Sequence, residues 1–291
     1  MTMSVADTAG VVRQLRDLPT PNAVALALLS SLADESLSIE QLTQKIALDQ
    51  GIVAKVLRLA NSPFFGLARR VTAVSDAVTI IGWRSVRNLA MAAGLSRSFD
   101  PGRCPSFDLS AYWRHAVACA LCSEALARAR GLDGGMAFGC GLLHDLGRMA
   151  MVCVAPDDYA QMLRTRAAQD TRLLDAERAC LGLDHAALGA VLAEQWLLAP
   201  ELVDSVALHH QPPEDGSAPM ADLVHVADCI AHGLGLEGST SESVAPMALH
   251  SWRRMDMDEP RWFLLFSEVE AEHAALCQSL FPGEGAQHER T

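Results

Sequence analysis

Apolar residues recur along this chain at spacings of three and four, and no stretch of strand length alternates convincingly. The runs 23–32 and 52–60 show the helical spacing, the second with Val53, Val56, Leu57 and Ala60 on one face. Such spacing lines one face of a 3.6-residue helix. Local signals place the ends. Thr20-Pro21 reads as an N-cap followed by proline at the first helical position. Ser38-Ile39-Glu40-Gln41 reads as a capping box that opens a helix through Leu48. Asp49-Gln50-Gly51 breaks the pattern, and Asn61-Ser62-Pro63 stops the next helix. Ser75 caps a helix to Ile81, and Gly82 separates it from another over 84–98.

The stretch 99–107, with two prolines and a glycine, interrupts the pattern and marks a boundary. Beyond it, Asp108 or Ser110 caps a helix to Arg130, and a single helix over 136–154 follows. Further helices are expected over 156–168, 171–181, 185–197, 200–209, 220–234 and 262–280. The expected fold is all-α in two lobes, residues 11–99 and 108–281. Residues 1–10 and 282–291 carry no pattern and are expected to be disordered.

Composition narrows the class. The 291 residues are half hydrophobic, with Ala, Leu and Val prominent and aromatics scarce, which favours helix. The net charge of −12 argues against broad binding to a phosphate backbone. The pair of helices flanking Gly51 has the look of a helix-turn-helix with Lys55 and Arg58 towards DNA, but no basic face clusters around it. The polar start has no leader-like apolar core, and no apolar run nears the ~18 residues that a membrane span needs. A cytoplasmic protein follows, its eight cysteines reduced. Cys119 and Cys122, spaced as CxxC, sit inside a helical pattern and read as core packing.

The candidate chemistry centres on Gly141-Leu142-Leu143-His144-Asp145-Leu146-Gly147-Arg148. An adjacent His and Asp in an apolar setting form either a buried hydrogen-bonded pair or part of a metal site. His115, His185, His209, His210 and Asp228 occupy similar surroundings. Asp228 lies mid-helix among apolar residues, where a carboxylate needs a partner.

In order, His115, then His144-Asp145, then Asp228 resemble the H…HD…D pattern of HD-domain metal-dependent phosphohydrolases. Residues 18–234 resemble, more specifically, an HDOD domain, the HD-related output domain of bacterial signalling proteins. Leu18-Pro19-Thr20-Pro21, the stretch 57–66 (LRLANSPFFG), Tyr112-Trp113-Arg114-His115 and Leu208-His209-His210-Gln211-Pro212 carry the resemblance with the HD segment. It implies an N-terminal helical lobe beside an HD-like lobe, and a regulatory module without catalysis that answers to a signalling protein or a small nucleotide ligand. The alternative is a metal-dependent phosphohydrolase acting on a nucleotide or cyclic dinucleotide. One divalent ion, of iron, manganese, zinc or nickel, would sit on His115, His144, Asp145 and Asp228. A second would sit on His185, His209 and His210, which resemble, in order, the further histidines of HD-GYP phosphodiesterases. The Gly-Tyr-Pro motif of those enzymes is absent after His210, which argues against cyclic di-GMP hydrolysis. Arg148 stands where such proteins often carry lysine, and is a candidate phosphate contact.

Overall fold

A computed structural model describes residues 15, 18, 20–33, 38–99, 102, 104–169, 171–238 and 246–282. Both ends expected to be disordered lie almost wholly outside them. Among the described residues there are helices and turns and no strands. The chain divides into two compact units: Pro21–Ser98 with the segment from Glu259 onwards, and Phe99–Asp258 with the residues before Pro21.

The N-terminal unit begins with α1 (Ala23–Ala33), α2 (Ile39–Ala47), α3 (Gln50–Ala60), α4 (Val74–Ile81) and α5 (Trp83–Leu95). The capping box at α2 is present, with Ser38 and Gln41 exchanging side-chain and backbone bonds. Two start signals differ from expectation. Asn22, not Thr20, caps α1: its Oδ1 accepts from the amides of Val24 at 2.8 Å and Ala25 at 3.2 Å. α4 starts at Val74 behind Ala73, which has no side-chain cap bond, so Ser75 is already helical.

Asp49 ties this unit together. Its carboxylate caps α3 by accepting from Gly51 and Ile52, and also accepts from Asn22 at 2.7 Å and Arg97 at 3.1 Å. Burial would raise its pKa. The hydrogen bonds and the Arg97 charge outweigh that and hold it below the ordinary 3.8. Leu28, Leu29, Ile46, Ile52, Leu59 and Leu89 are fully buried here, each contributing about 1.5–3 kcal/mol of hydrophobic stabilisation.

The last helix, α15 (Glu259–Leu280), belongs to this unit and not to the second lobe that its place in the chain suggests. It packs on α3 and α5. Arg58 donates to the Ser279 carbonyl at 3.0 Å, Lys55 lies 6.0 Å from the centre of the Phe281 ring, and Arg84 pairs with Glu272. The two residues that a helix-turn-helix would turn to DNA are therefore turned to the end of α15.

The central unit contains α6 (Leu109–Arg130), α7 (Gly134–Leu143), α8 (Leu146–Val154), α9 (Pro156–Gln169), α10 (Leu173–Leu181), α11 (His185–Gln195), α12 (Pro200–Leu208), α13 (Pro219–Gly233) and α14 (Leu249–Met255). Asp108 caps α6, accepting from Ala111 at 2.9 Å. α6 packs on α7 and α13, and α11 packs on α8 and α12. The single helix expected over 136–154 is two: α7 ends at Leu143 and α8 begins at Leu146. As one stretch, Gly134–Val154 is long and apolar enough to cross a membrane, which corrects the reading that no run approaches that length. Its most apolar window is 89% buried within the protein.

Two close approaches fix the centre of this unit. A β-carbon on Gly141 would lie 2.6 Å from the Cys119 carbonyl oxygen, so α7 meets α6 backbone to backbone. A β-carbon on Gly147 would overlap the His185 carbonyl and stand 2.8 Å from the Gly189 amide nitrogen. α8 therefore meets α11 at two glycines.

Candidate metal centre

The break between α7 and α8 falls on the two residues that matter most. His144 keeps helical geometry at the end of α7, while Asp145 opens to φ −95°, ψ 14°. Neighbours on a continuous helix diverge by about 100°. At this junction both side chains turn into one buried centre, where their exposures are 1% and 5%.

All the residues anticipated from the sequence meet there. His115 comes from α6, His185 from the first turn of α11, His209 and His210 from just after α12, and Asp228 from α13. They form two groups of potential donors. In the first, His115 Nε2 stands 3.3 Å from His144 Nε2 and 3.0 Å from Asp228 Oδ1. In the second, Asp145 Oδ1 is 3.1 Å from His185 Nε2 and 3.7 Å from His209 Nε2, and His210 Nε2 is 2.8 Å from His185 Nε2. Asp145 Oδ1 is also 3.7 Å from His144 Nε2, so its carboxylate lies between the groups.

Three rings are held by their other nitrogen. His144 Nδ1 donates to the Gly141 carbonyl at 2.7 Å, His209 Nδ1 to the Val206 carbonyl at 2.9 Å, and His185 Nδ1 to Glu177 at 2.6 Å. Bonds of this kind orient a metal-ligating imidazole and fix its tautomer, leaving an Nε2 lone pair for the ion. Glu177 is fully buried on α10 and also accepts from the His185 amide and the Tyr159 hydroxyl. His209 Nε2 is buried with no hydrogen-bond partner, an atom with a lone pair and nothing to receive it. That orphan, beside rings whose Nδ1 atoms are already bonded, fits a divalent metal.

Burial opposes charge on every histidine here. Asp228 and Glu237 overcome it at His115 and raise that ring to about 9, while Glu177 and Asp145 raise His185 to about 10. At His209 burial and the nearby His144 outweigh Asp145 and push the ring down to about 3. Burial and the same ring cluster lower His210 and His144. Asp145 and Asp228 resist burial and sit well below the usual carboxylate range, because histidines and, at Asp145, Arg148 face them.

Other members of the cluster are absent from the sequence reading. Cys119, assigned there to core packing, has its Sγ 3.4 Å from His115 Nε2; Cys122 is the core residue of the pair. His232 stacks on His115 with ring centres 4.3 Å apart, and lies 3.3 Å from Asp228 and 2.8 Å from Glu237. Cys119 follows His115, and His232 follows Asp228, by four residues, the same-face spacing of a helix. That signal was readable. Glu237 follows the helix and had none. Glu177 shows no local sign either, since its partner lies on another helix.

The centre opens on a cavity of about 220 Å³. Asp145, His185 and His210 form its floor, and Arg148, Arg166, Arg172 and Arg178 also line it. Arg148 Nη1 holds Asp145 Oδ2 at 2.9 Å, its guanidinium lying 5.9 Å from the ring centres of both Phe107 and Tyr112. Arg178 pairs with Asp184, the cap of α11, and Arg172 with Asp175.

The chain belongs to the HDOD domain family, whose model matches residues 18–212. An HDOD domain protein of unknown function from Geobacter sulfurreducens superposes with a TM-score of 0.71 at 22% identity, over 96% of this chain and all of that one. A candidate phosphohydrolase from Shewanella amazonensis SB2B gives 0.71 at 23% identity, over 94% and 98%. A candidate signal transduction protein from Marinobacter aquaeolei VT8 gives 0.74 at 23% identity, over 96% of this chain and 62% of that one. An uncharacterized protein of Treponema pallidum (strain Nichols) is 25% identical over 267 residues, and the alignment spans 89% of this chain and half the length of that relative.

Proposed function

We propose that this chain is a regulatory HDOD module whose central unit holds two divalent metal ions and captures a phosphorylated small molecule, a nucleotide by preference, between them and the arginines above. His115, His144 and Asp228 hold one ion; Asp145, His185, His209 and His210 hold the other. The observation that carries the reading is the orphaned, fully buried Nε2 of His209 beside rings whose Nδ1 atoms are already bonded. A cluster kept only for packing would have no reason to leave that atom bare. Bound divalent metal would supply Lewis acidity and a water ionised near neutral pH. The chain's own part is to orient the donors through Glu177 and the Gly141 and Val206 carbonyls. Arginine guanidinium groups match phosphate oxygens in charge and geometry. Their signal would pass to a separate signalling protein.

Hydrolysis of the captured phosphoester is the second reading. It is favoured by Asp145, whose carboxylate lies between the donor groups and faces the cavity, as a two-ion phosphotransfer site requires.

Elemental analysis of untagged protein, beside His144→Ala, tests the first reading. Metal in the wild type that is lost in the variant supports it. Absence of metal after reconstitution with iron, manganese, nickel and zinc rejects it. Turnover of nucleotides and model phosphodiesters by the loaded protein, abolished in His144→Ala, separates the second reading from the first.

A further inference from the structure

Cys119 reads from the sequence as core packing within a CxxC spacing, yet its sulfur lies inside the first donor group. α6 presents His115 and Cys119 one turn apart on the same face. The α7–α8 junction presents His144, and α13 presents Asp228. The six separations among the four donor atoms include 3.0 Å between His115 Nε2 and Asp228 Oδ1, and 3.3 Å between His115 Nε2 and His144 Nε2. Cys119 Sγ stands 3.4 Å from His115 Nε2 and 4.0 Å from Asp228 Oδ1, and His144 Nε2 stands 3.9 Å from Asp228 Oδ1. Ligands around a tetrahedral ion with bonds of about 2.0–2.3 Å stand about 3.3–3.7 Å apart. Five of the separations run from 3.0 to 4.0 Å and all six are within 4.8 Å, so small side-chain adjustments bring the four donors onto that tetrahedron. All four side chains are 0–3% exposed; Asp228 and His115 each reach the wall of a cavity, while Cys119 and His144 are enclosed by the packed helices.

We propose that Cys119 is a metal ligand, and that His115, Cys119, His144 and Asp228 form a closed four-donor site for a thiophilic divalent ion, zinc or ferrous iron. The inference rests on the metal-centre reading and deepens it by saying what the first site selects. A thiolate among the donors favours zinc or iron over magnesium, calcium or manganese. On binding, the S–H bond gives way to a sulfur–metal bond and the proton leaves to solvent. A closed tetrahedral set keeps no open position. Capture of the phosphorylated ligand then falls to the second group, around Asp145, His185, His209 and His210, which faces the cavity. The two ions have separate duties: one knits α6, α13 and the HD junction together, and the other meets the ligand.

Cobalt(II) titrated into metal-stripped, full-length protein tests this directly. The wild type is expected to develop an intense near-ultraviolet thiolate-to-cobalt band. Cys119→Ser loses the band, and Cys122→Ser keeps it. Zinc binding to the first site in Cys119→Ser weakens at least about tenfold, with helicity by circular dichroism showing that the variant is folded. X-ray absorption of the zinc-loaded wild type needs no variant and is expected to find one sulfur neighbour for every two zinc ions. Cobalt bound without a thiolate band, a band that survives Cys119→Ser, or zinc with no sulfur neighbour each overturns the proposal while leaving the two-metal reading standing. Failure of the wild type to bind cobalt, zinc, iron, manganese or nickel at all overturns both.

Discussion

Gly147 and the carbonyl of His185 stand so close that no β-carbon fits between them. The contact fixes α8, which begins immediately after Asp145, against the first turn of α11, which carries His185. Asp145 and His185 then meet at 3.1 Å. Gly147→Ala forces these helices apart. Overpacking of this kind costs about 1–3 kcal/mol. At about 2–4 °C per kcal/mol, calorimetry should record a melting temperature several degrees lower. Metal content should fall as well, because the donors separate. A variant that melts with the wild type and keeps its metal would show that the approach is compliant.

The second donor group can be emptied by itself. His209→Ala removes a ring whose Nδ1 is tied to Val206 and whose Nε2 faces Asp145. Elemental analysis is expected to show a loss of about one ion per chain, with the other retained. Loss of both ions, or of neither, contradicts the division into two groups.

The arginines above the centre should govern ligand affinity and leave metal content alone. Arg172 and Arg166 line the cavity, and Arg172 is largely exposed, so each contact is partly screened. With pyrophosphate as the probe, the paired variant Arg166→Gln and Arg172→Gln is expected to bind about tenfold more weakly in calorimetry, with a shallower dependence on salt. Unchanged affinity would place the phosphate site elsewhere.

The N-terminal unit offers a pH prediction free of the metal. Asp49 has its pKa held below 3.8 in the folded chain by amide hydrogen bonds, Asn22 and Arg97. A carboxylate depressed on folding contributes stability that is complete above its unfolded pKa and lost as pH falls through the folded one. Asp49→Ala should lower stability near neutral pH by about 0.5–2 kcal/mol, the usual worth of an N-cap. It should also flatten the acid limb of the stability curve. Denaturant titrations at pH 7 and below pH 4 check both. An acid limb identical to the wild type would mean that Asp49 is equally paired in the unfolded chain.

The helical class, the capping box at Ser38 and the seven His and Asp residues that meet in the centre were legible because each leaves a local trace. Periodicity marks a helix, a serine three residues before a glutamine marks a cap, and His or Asp in apolar surroundings marks a partner. The break at His144-Asp145 was not legible. Its flanks are apolar on both sides and carry no proline, and the close approaches at Gly141 and Gly147 appear only once other helices are in place. Cys119 was hidden by its own neighbourhood, since Ala118, Cys119 and Ala231 also pack together as core. α15 was misassigned for a simpler reason: its amphipathic pattern shows that it must bury a face, but not against which unit.

That last helix has a consequence for how the protein is made. From Pro21 the chain enters the N-terminal unit, leaves it at Ser98, builds the bulk of the central unit, and returns from Glu259. On a ribosome, α1 to α5 emerge first, yet the surface awaiting α15 stays uncovered until the helices of the central unit have been made. The central unit has all its helices before then and can fold while the older segment waits. The unit whose first five helices come earliest is completed only after the central one, and a chaperone working on this nascent chain would have most to shield at α3 and α5.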